Sequence, residues 1–592
     1  MKTWNKGKRT LALLVCVLLT VLSVVPAMGA TGAKGETSKF TINNTVMGHT
    51  YKLYQILVGD VSNLSNGTGT LSNVEPGISA NKTDGESDEA FVERVYKEVK
   101  ADNVTADTLG KVALKFVDTS RPAKSVVGDG STQETDVNNG YYIVVDEYTK
   151  TGTGTITDGT DTISSYLVAV VGNTAVEPKD DYPTIDKKIV DGDANKAMDV
   201  SQKTDTAAIG DTINYEVSGN LPDMTGYTYY YYYITDTLSK GLTLVESSFI
   251  VMVGEKTLAI NKDYHIHVTK NEDEATRFIL AMDDLKAYVN ENSKTIGSDP
   301  KIKITYNATV NEKAAIGVNP NTNTVHLNYS NNPQNSTRSD LGDTPGTPKD
   351  DKVTGQGTDK VTKTYVMELV ILKVDETGKK LSGAQFTLVG ENLTKVIVDT
   401  KSSFENAGTG ETGEYYKLKN DTYTKIAPTD ETISNYEDVT TVNDSPKYVR
   451  KTTTSVSKDA TVEDSSKSIS AMVNDEGYLV FTGLNAGEYT LKETKTPEGY
   501  NTMKDMTFTI EASQNGANTN EGGSINWNIS GTNTGSFILG TNNIFTKITN
   551  LKGNVLPSTG GIGTRIFYIV GGILMVSAGI VLITKARFKK SK

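Results

Sequence analysis

Most of the chain alternates apolar and polar side chains over short runs, which is the pattern of a half-buried β-strand. Clear examples are residues 301–306 and 489–492, and residues 141–145 and 165–171 are short strand-like runs rich in Val, Ile and Tyr. Gly, Asn and Asp residues separate the runs and predict turns between strands. One stretch, 87–100, instead repeats its apolar residues every three or four positions and predicts an amphipathic helix. The pattern therefore predicts a mainly β protein with one helix in its N-terminal part.

Two longer apolar runs lie near the ends of the chain. The first, 11–25, follows a basic segment and precedes small residues, which is typical of a secretory signal peptide over 1–30. The second, 566–583, has about the shortest length that spans a bilayer as a helix, and a basic tail follows it. We therefore expect one exported region between a signal peptide and a C-terminal transmembrane helix.

Charge and composition narrow the function classes of the exported region. The full chain has a formal net charge of -12, and segments 1–30 and 561–592 carry only positive charges, so the exported region is more acidic still. An acidic surface argues against nucleic-acid partners. The one cysteine, Cys16, lies in the predicted signal peptide, which leaves the exported region without disulfides or thiolate metal sites. The four histidines are scattered, so we predict no metal, no cofactor and no enzymatic site.

A pentapeptide precedes the second apolar run and consists of Leu556, Pro557, Ser558, Thr559 and Gly560. Together with the apolar run and the basic tail, it resembles the LPxTG sorting signal of Gram-positive surface proteins. The resemblance implies that a sortase cuts between Thr559 and Gly560 and that the exported chain ends on the cell wall. The alternative is a single-pass anchor in which the pentapeptide occurs by accident.

Clusters of Pro and Gly at 177–183 and 331–356 predict two domain boundaries within the exported region. The stretch 401–470 is polar and poorly periodic, so we interpret it as a large insertion in the last domain. The predicted segments are a signal peptide (1–30), an N-terminal domain (31–180), a middle domain (181–350), a third domain (351–555) and the sorting signal with its helix and tail (556–592).

The first predicted strands of the middle and third domains each carry a lysine among apolar residues. These are Lys187 within 184–189 and Lys373 within 370–375. Strand alternation places Lys187 on the same face as Ile185 and Ile189. A buried charged lysine is costly unless it is paired, so either the side chain reaches outward from an edge strand or it has a buried partner.

Further motifs connect both domains to one family of surface proteins. In the third domain they are LKVD at 372–375, LSGAQFTL at 381–388 and YTLKETKTPEGY at 489–500. In the middle domain they are ITDTL at 234–238, GLTL at 241–244 and NTVHLNYSNNP at 323–333. With these motifs, the third domain closely resembles the collagen-adhesin B-type immunoglobulin-like domain, including its E-box YxLxETxxPxGY. The middle domain is similar to the middle domain of major shaft subunits of sortase-assembled pili. The resemblance implies tandem immunoglobulin-like β-sandwiches.

The resemblance also implies an intramolecular isopeptide bond in each of these two domains. A buried lysine amine attacks an asparagine carboxamide on a neighbouring strand and releases ammonia, and a carboxylic acid assists, so that the first and last strands become joined. Burial favours this reaction because it disfavours the charged forms of both the amine and the acid. The implied residues are Lys187, Asp236 and Asn323 in the middle domain, and Lys373, Glu493 and Asn550 in the third domain.

Alternatives remain open at both clusters. Each could be a hydrogen-bonded or ionic group that never reacts. In the middle domain, Lys188, Asn321 and Asn328 are plausible replacements for the implied partners. The N-terminal domain shows no comparable inward lysine, and we predict no bond there.

A shaft subunit of this family also needs an exposed lysine that captures the threonine of the next subunit. The family motif centres on VYPK, and residues 176–179 of this chain read VEPK, which makes Lys179 the implied acceptor. Lys187 and Lys188 are alternatives. A lysine near one end and Thr559 at the other make a head-to-tail contact that does not close and so builds a filament.

The resemblance therefore implies a structural major pilin, secreted, anchored to the cell wall and polymerised through a bond between Thr559 and a lysine. The implied partners are pilus-type and housekeeping sortases, identical subunits, minor pilins and peptidoglycan, with host surface ligands as a further candidate. The alternative function is a wall-anchored adhesin or minor pilin that is attached to peptidoglycan but not polymerised.

Overall fold

The structure is a computed structural model. It describes residues 36–65, 68–148, 162, 165–178, 182–190, 203–293, 296, 300–333, 354–419, 423–425, 427–463, 466–515, 523–531, 537–540, 542–553 and 562–588. The predicted signal peptide 1–30, Lys179 and the pentapeptide 556–560 lie outside these residues.

The N-terminal part contains two sheets and two helices. The strands are β1 Thr37–Ile42, β2 His49–Ser65, β3 Thr68–Pro76, β4 Lys124–Val127, β5 Gln133–Asn138, β6 Gly140–Tyr148, β7 Ser165–Val170 and β8 Thr174–Val176. One sheet has the order β5-β1-β8, and the other has the order β3-β2-β6-β7 with β4 paired to β2. Helices α1 Asp88–Val99 and α2 Ala106–Leu114 share a hydrophobic core with the second sheet.

Strand β6 shows why the second sheet is covered on both faces. Tyr142 and Val144 belong to the core shared with the first sheet, whereas Tyr141 and Ile143 belong to the core shared with the helices. Helix α1 begins after Ser87, whose side chain accepts a hydrogen bond from the backbone of the first turn. The helix predicted over 87–100 is thus confirmed, while α2 is a short helix that was not predicted.

The middle part is a pair of facing sheets. Its strands are β9 Ile185–Ile189, β10 Thr204–Thr206, β11 Thr212–Asn220, β12 Tyr232–Leu238, β13 Leu242–Val253, β14 Lys256–Thr257, β15 His265–Lys270, β16 Thr276–Met282, β17 Lys301–Val310, β18 Asn321–Ser330, β19 Thr354–Gln356 and β20 Lys360–Tyr365. One sheet has the order β14-β13-β17-β11-β9, and the other has the order β10-β20-β18-β12-β16-β15 with β19 paired to β18. A short helix, α3 Leu285–Asn292, follows β16.

The C-terminal part contains two further sheets. Its strands are β21 Met367–Asp375, β22 Gln385–Gly390, β23 Lys395–Asn406, β24 Tyr416–Lys417, β25 Tyr423–Thr424, β26 Tyr448–Asp459, β27 Thr461–Glu463, β28 Ser466–Met472, β29 Tyr478–Leu484, β30 Gly487–Lys495, β31 Met506–Asn515, β32 Ser524–Gly531, β33 Phe537–Leu539 and β34 Ile544–Asn550. The orders are β26-β23-β29-β21-β34-β33 and β27-β28-β22-β30-β31-β32, with β24 and β25 forming a small separate sheet.

The predicted insertion at 401–470 is more regular than its sequence indicates. Strands β23 and β26 pair along most of their length and carry the small β24-β25 sheet and a 3-10 turn at Ile433–Asn435 between them. Phe404 from this excursion packs against a buried cluster that includes Leu372, Val374 and Tyr478. Strand β21 is therefore covered on the face that the sandwich core does not cover.

The packing divides the chain into two compact units at Val366–Met367, with Ala512–Asn526 assigned to the first unit. Strands β19 and β20 pair with β18, so the sheet of the middle part continues past residue 350. We therefore propose that the middle domain extends to Val366 rather than to 350. The other predicted boundary, at 180–181, stays a prediction.

A long helix, α4 Ile562–Phe588, follows the predicted sorting signal. Its segment 567–587 is long and apolar enough to cross a membrane. This agrees with the transmembrane helix predicted from the apolar run at 566–583.

Candidate functional sites

The middle cluster is assembled from both sheets of the middle part. Lys187 lies on β9, where Ile185, Lys187 and Ile189 are buried and the intervening Asp186 is exposed. Strand alternation thus directs the amine into the space between the sheets, as the apolar pattern predicted.

The acid and the amide of this cluster come from the facing sheet. Asp236 lies on β12 and Asn323 on β18, and these neighbouring antiparallel strands pair Asp236 with Val325 and Leu238 with Asn323. On paired strands, residues directly opposite one another share a face, and so do residues two positions apart on the same strand. The side chains of Asp236 and Asn323 therefore both point towards β9. Lys187 and Asn323 therefore lie on facing sheets, which corrects the expectation that the asparagine is on a strand next to the lysine. Strand β18 is also not the last strand, because β19 and β20 follow it.

Short polar contacts link the members of the middle cluster. Nζ of Lys187 lies 2.9 Å from Oδ1 and 2.8 Å from Oδ2 of Asp236. The hydroxyl of Tyr306 donates to Oδ2 of Asp236 at 2.6 Å and accepts from Nδ2 of Asn323 at 2.9 Å. Lys187, Asp236, Asn323 and Tyr306 are all 0 % exposed. The lysine, the acid and the amide thus form one continuous hydrogen-bonded group shielded from solvent.

Burial disfavours the charged forms of both ionisable partners. It lowers the pKa of Lys187 to about 8, although the carboxylate of Asp236 acts in the opposite direction. It also raises the pKa of Asp236, against the effect of Lys187. The positive charge of Lys203 further lowers the pKa of Lys187. The two pKa values therefore approach one another, and a neutral amine beside a protonated acid becomes accessible.

The C-terminal cluster has a different strand arrangement. Lys373 lies on β21 and Asn550 on β34, which are neighbouring parallel strands with Lys373 opposite Ile548 and Asp375 opposite Asn550. The acid, Glu493, lies on β30 in the other sheet, opposite Phe386 of β22. Here the lysine and the asparagine share a sheet, as expected, and the acid reaches them from the facing sheet.

Glu493 holds the C-terminal cluster together. Nδ2 of Asn550 donates to Oε1 of Glu493 at 2.8 Å, and Nζ of Lys373 lies 3.9 Å from the same oxygen. The backbone N–H of Met503 donates to the other carboxylate oxygen at 2.8 Å. Nζ of Lys373 also lies 3.4 Å from the carbonyl oxygen of Ile548. Burial lowers the pKa of Lys373 to about 8, against the opposing effect of Glu493.

Both asparagines leave their amide oxygen without a partner. Among the residues that the structure describes, Oδ1 of Asn323 and Oδ1 of Asn550 are buried and accept no hydrogen bond. A buried acceptor left unsatisfied is costly, on the order of 1–3 kcal/mol, and asks for an explanation. The two clusters thus share a buried amide oxygen that no group among the described residues satisfies.

The alternative residues of the middle domain are engaged elsewhere. Lys188 is partly exposed and pairs with Glu216 at 2.9 Å. The side-chain amide of Asn321 bonds to the backbone of Ala315 through both its oxygen and its nitrogen. Asn328 differs from Asn323 by an odd number of positions on β18, so its side chain lies on the other face. The geometry thus favours Lys187 and Asn323 over these alternatives.

In the described residues of the N-terminal part, Lys39 and Lys52, which lie next to apolar strand residues, are not in an equivalent arrangement. Lys39 pairs with Glu134 at 2.8 Å and Lys52 pairs with Glu147 at 2.7 Å, and both pairs are partly exposed. The absence of a bond in this domain stays a prediction.

Sequence reasoning missed Tyr306 and Lys203. Tyr306 ends the alternating run at 301–306, so its inward face was predictable, but its contact with Asp236 depends on sheet packing. Lys203 donates to the backbone carbonyl of Lys187 at 3.0 Å and pairs with Asp186. It follows a segment outside the described residues, and no pattern in the sequence marks it.

Comparison with known proteins identifies several segments of the chain. Residues 209–333 match the family of Gram-positive pilin backbone subunit 2, Cna-B-like domain. Residues 441–523 match a prealbumin-like fold domain, and residues 550–592 match the LPXTG cell wall anchor motif.

Similar whole proteins come from Gram-positive bacteria. The chain is 27% identical over 450 residues to the trypsin-resistant surface T6 protein of Streptococcus pyogenes serotype M6, and the alignment covers 73% of each chain. It is similar to the structure of the T6 backbone pilin of serotype M6 Streptococcus pyogenes, with 18% identity, a TM-score of 0.46 and coverage of 88% of this chain and 100% of that one. It is also similar to the full-length major pilin SpaD from Corynebacterium diphtheriae, with 16% identity, a TM-score of 0.41 and coverage of 88% and 98%.

Proposed function

We propose that two internal isopeptide bonds stabilise this chain, which is a sortase-assembled backbone pilin anchored to the cell wall. We also propose that a sortase polymerises it head to tail. The observation that carries the first part is the occurrence of a buried lysine, acid and asparagine in contact at two separate places. One such cluster could be a structural accident, but two clusters with unsatisfied amide oxygens favour a shared chemistry.

The reaction at each cluster needs no external reagent. The neutral amine of the lysine attacks Cγ of the asparagine, the new Nζ–Cγ bond forms, the Cγ–Nδ2 bond breaks, and ammonia leaves. The depressed pKa of Lys187 and Lys373 supplies the neutral amine near neutral pH. The packed sheets hold the reacting groups at a high effective concentration, which replaces the need for an enzyme.

Intact-mass measurement of the exported region, residues 31–559, tests both bonds. We expect the mass to be lower than the sequence mass by two ammonia molecules. Asn323→Ala and Asn550→Ala should each restore the mass of one, and peptide mapping should locate each cross-link. Asn321→Ala is a matched control, because this buried asparagine lies on the same strand as Asn323 but bonds to backbone. A wild-type chain at its full sequence mass would refute the two bonds.

The second part of the proposal concerns polymerisation. The sortase would cleave the Thr559–Gly560 bond and hold the acyl group of Thr559. The amine of Lys179 of the next subunit would then attack this acyl group, which releases the sortase and joins the subunits in one direction. Lys179 and Thr559 lie outside the described residues, so this step rests on the motifs at 176–179 and 556–560 and on the match to the LPXTG anchor.

Immunoblots of cell-wall extracts test the polymerisation. The wild-type chain should give a ladder of high-mass species that collapses in Lys179→Ala. Lys188→Ala is the control, because Lys188 is one of the alternative acceptors and pairs with Glu216. A ladder that survives in Lys179→Ala and collapses in Lys188→Ala would reassign the acceptor. A single band in the wild type would favour the alternative function, a wall-anchored adhesin or minor pilin that is not polymerised.

A further inference from the structure

Tyr306 occupies the centre of the middle cluster. It lies on β17 in the same sheet as Lys187, and its side chain is 0 % exposed. Its ring stacks with Tyr215 and Phe249, each at a centroid distance of 5.3 Å, and meets the edge of Phe278 at 5.1 Å. Three aromatic neighbours thus fix the ring, so the position of the hydroxyl is well determined by packing.

The hydroxyl of Tyr306 lies between the acid and the leaving group. It is 2.6 Å from Oδ2 of Asp236 and 2.9 Å from Nδ2 of Asn323. The same carboxylate contacts Nζ of Lys187 with both oxygens. The polar atoms therefore run in one line from the amine, through the carboxyl group and the phenol, to the amide nitrogen.

The reaction needs proton transfers at the two ends of this line. When the amine attacks, its nitrogen must lose a proton, and the departing amide nitrogen must gain one to leave as ammonia rather than as an amide anion. General acid–base groups within hydrogen-bond reach of the reacting atoms perform such transfers. Asp236 contacts the amine, and the Tyr306 hydroxyl contacts the departing nitrogen.

We propose that Tyr306 is a catalytic residue of the middle cluster and relays a proton from Asp236 to Nδ2 of Asn323. This inference rests on the proposed isopeptide bond between Lys187 and Asn323. In the resting cluster the phenol donates to Asp236 and accepts from Nδ2 of Asn323. After the attack, Cγ is tetrahedral, Nδ2 has a free lone pair, Asp236 holds a proton taken from Nζ of Lys187, and the hydroxyl hydrogen turns towards Nδ2. Asp236 then passes its proton to the oxygen of Tyr306 while the hydroxyl proton moves to Nδ2. Tyr306 and Asp236 end unchanged, and one hydrogen of the lysine amine leaves with the ammonia.

Two further observations support the relay. Burial raises the pKa of Tyr306 well above its usual value of 10, so the phenol keeps the proton that it must deliver. In the C-terminal cluster, the acid itself contacts the departing nitrogen, with Glu493 2.8 Å from Nδ2 of Asn550. A relay is required in the middle cluster and not in the C-terminal cluster, which makes the second cluster an internal control.

The test follows bond formation in newly made protein. The exported region is synthesised in a cell-free system, samples are quenched with acid over time, and intact mass with peptide mapping gives the rate of each ammonia loss. Tyr306→Phe keeps the ring and removes the hydroxyl, so the middle bond should form about 100-fold more slowly. The C-terminal bond should form at the wild-type rate, which also reports that the chain has folded.

Tyr232→Phe is the matched control. Tyr232 lies on β12 on the same inward face as Asp236, is 0 % exposed, and its hydroxyl has no hydrogen-bond partner among the described residues. Removing this hydroxyl should leave both rates unchanged. An equal slowing in Tyr232→Phe and Tyr306→Phe would overturn the relay, because any buried hydroxyl would then have the same effect.

A second variant separates proton transfer from packing. Replacing Tyr306 by a fluorotyrosine keeps the hydroxyl and its contacts but makes it more acidic. A relay predicts a changed rate and a shifted pH profile for the middle bond, and this measurement decides the question if Tyr306→Phe does not fold. An unchanged rate and pH profile would overturn the relay. Failure of the proposed function would look different, because the wild-type chain would then show no ammonia loss in the middle domain.

Discussion

The two buried clusters use the same three groups but distribute them differently between the sheets. In the middle cluster, the acid and the asparagine share a sheet and the lysine faces them. In the C-terminal cluster, the lysine and the asparagine share a sheet and the acid faces them. A bond in the first case would tie two sheets together, whereas a bond in the second case would tie two neighbouring parallel strands.

The proposed chemistry therefore requires contact and burial of the three groups rather than one particular strand arrangement. Both lysines have a pKa lowered to about 8 by burial, although their acids approach from opposite sides of the sandwich. The mechanical consequences are not the same. Asn550 is followed by only a few described residues before the sorting signal, whereas Asn323 is followed by β19 and β20. A pulling force would pass directly through the C-terminal bond but would load part of the middle sheet first.

The largest expected effect is on extension under force. In the wild-type chain, single-molecule pulling should release the segment 324–366 of the middle domain, at about 3.5 Å for each residue, and leave the segments between the bonded residues closed. Asn550→Ala should in addition release 373–550 in full. Asn321→Ala serves as the control, and release of 187–323 from the wild-type chain would contradict the middle bond.

The next largest effect is on the rate of bond formation when the acid is removed. Loss of a general acid–base group slows a reaction by about 10²–10⁴-fold. Asp236→Asn should slow the middle bond more than Glu493→Gln slows the C-terminal bond, because the amine lies 2.8 Å from Asp236 but 3.9 Å from Glu493. Mass measurements over time give both rates, and the untouched cluster in each variant is the control. Equal slowing at the two clusters would remove this distinction between them.

A smaller effect is expected on thermal stability. A cross-link that closes a loop of more than 100 residues contributes on the order of 5 kcal/mol in the chain-entropy model. The loops 187–323 and 373–550 differ little on a logarithmic scale, so Asn323→Ala and Asn550→Ala should lower the free energy of unfolding of their own domains by similar amounts. Calorimetry that resolves the domain transitions provides the measurement. If only one domain loses free energy of unfolding, strain in the native state of the other domain must offset the stabilisation that its loop closure provides.

The smallest effect concerns the pH dependence of the unbonded C-terminal domain. Burial lowers the pKa of Lys373 to about 8 in the folded, unbonded domain, compared with its usual value of 10.5, and we expect the same in Asn550→Ala, where no bond forms. Between these values the folded state binds fewer protons than the unfolded state, so the free energy of unfolding should rise with pH, by up to about 1.4 kcal/mol per pH unit. Below pH 8, where Lys373 is protonated in both states, its contribution to the free energy of unfolding should not change with pH.

Denaturant titrations between pH 7 and about pH 9.5 measure that slope, below the range in which ordinary tyrosines ionise. The double variant Lys373→Met with Asn550→Ala removes the titrating amine and is the control. An identical slope in the single and the double variant would show that Lys373 does not carry the effect.

The sequence predicted the local features of the chain better than the contacts between distant segments. The runs rich in Val, Ile and Tyr at 141–145 and 165–171 correspond to β6 and β7, and the helical stripe at 87–100 forms α1. Helices α2 and α3 were missed, because they are only nine and eight residues long, shorter than the window in which a helical period can be recognised. The polar stretch at 401–470 did not predict the long pairing of β23 with β26, since exposed strands lack a strong alternation.

The order of side chains along the chain is enough to predict its local features. Alternation along β9 directs Lys187 inward, and the sorting signal, the E-box and the apolar run at 566–583 are all contiguous. The packing of the sheets is needed to see which sheet brings the acid and the asparagine to each lysine, and that Tyr306 lies between Asp236 and Asn323. Strand alternation is a property of neighbouring residues, whereas strand order and sheet facing depend on contacts between residues far apart in the chain.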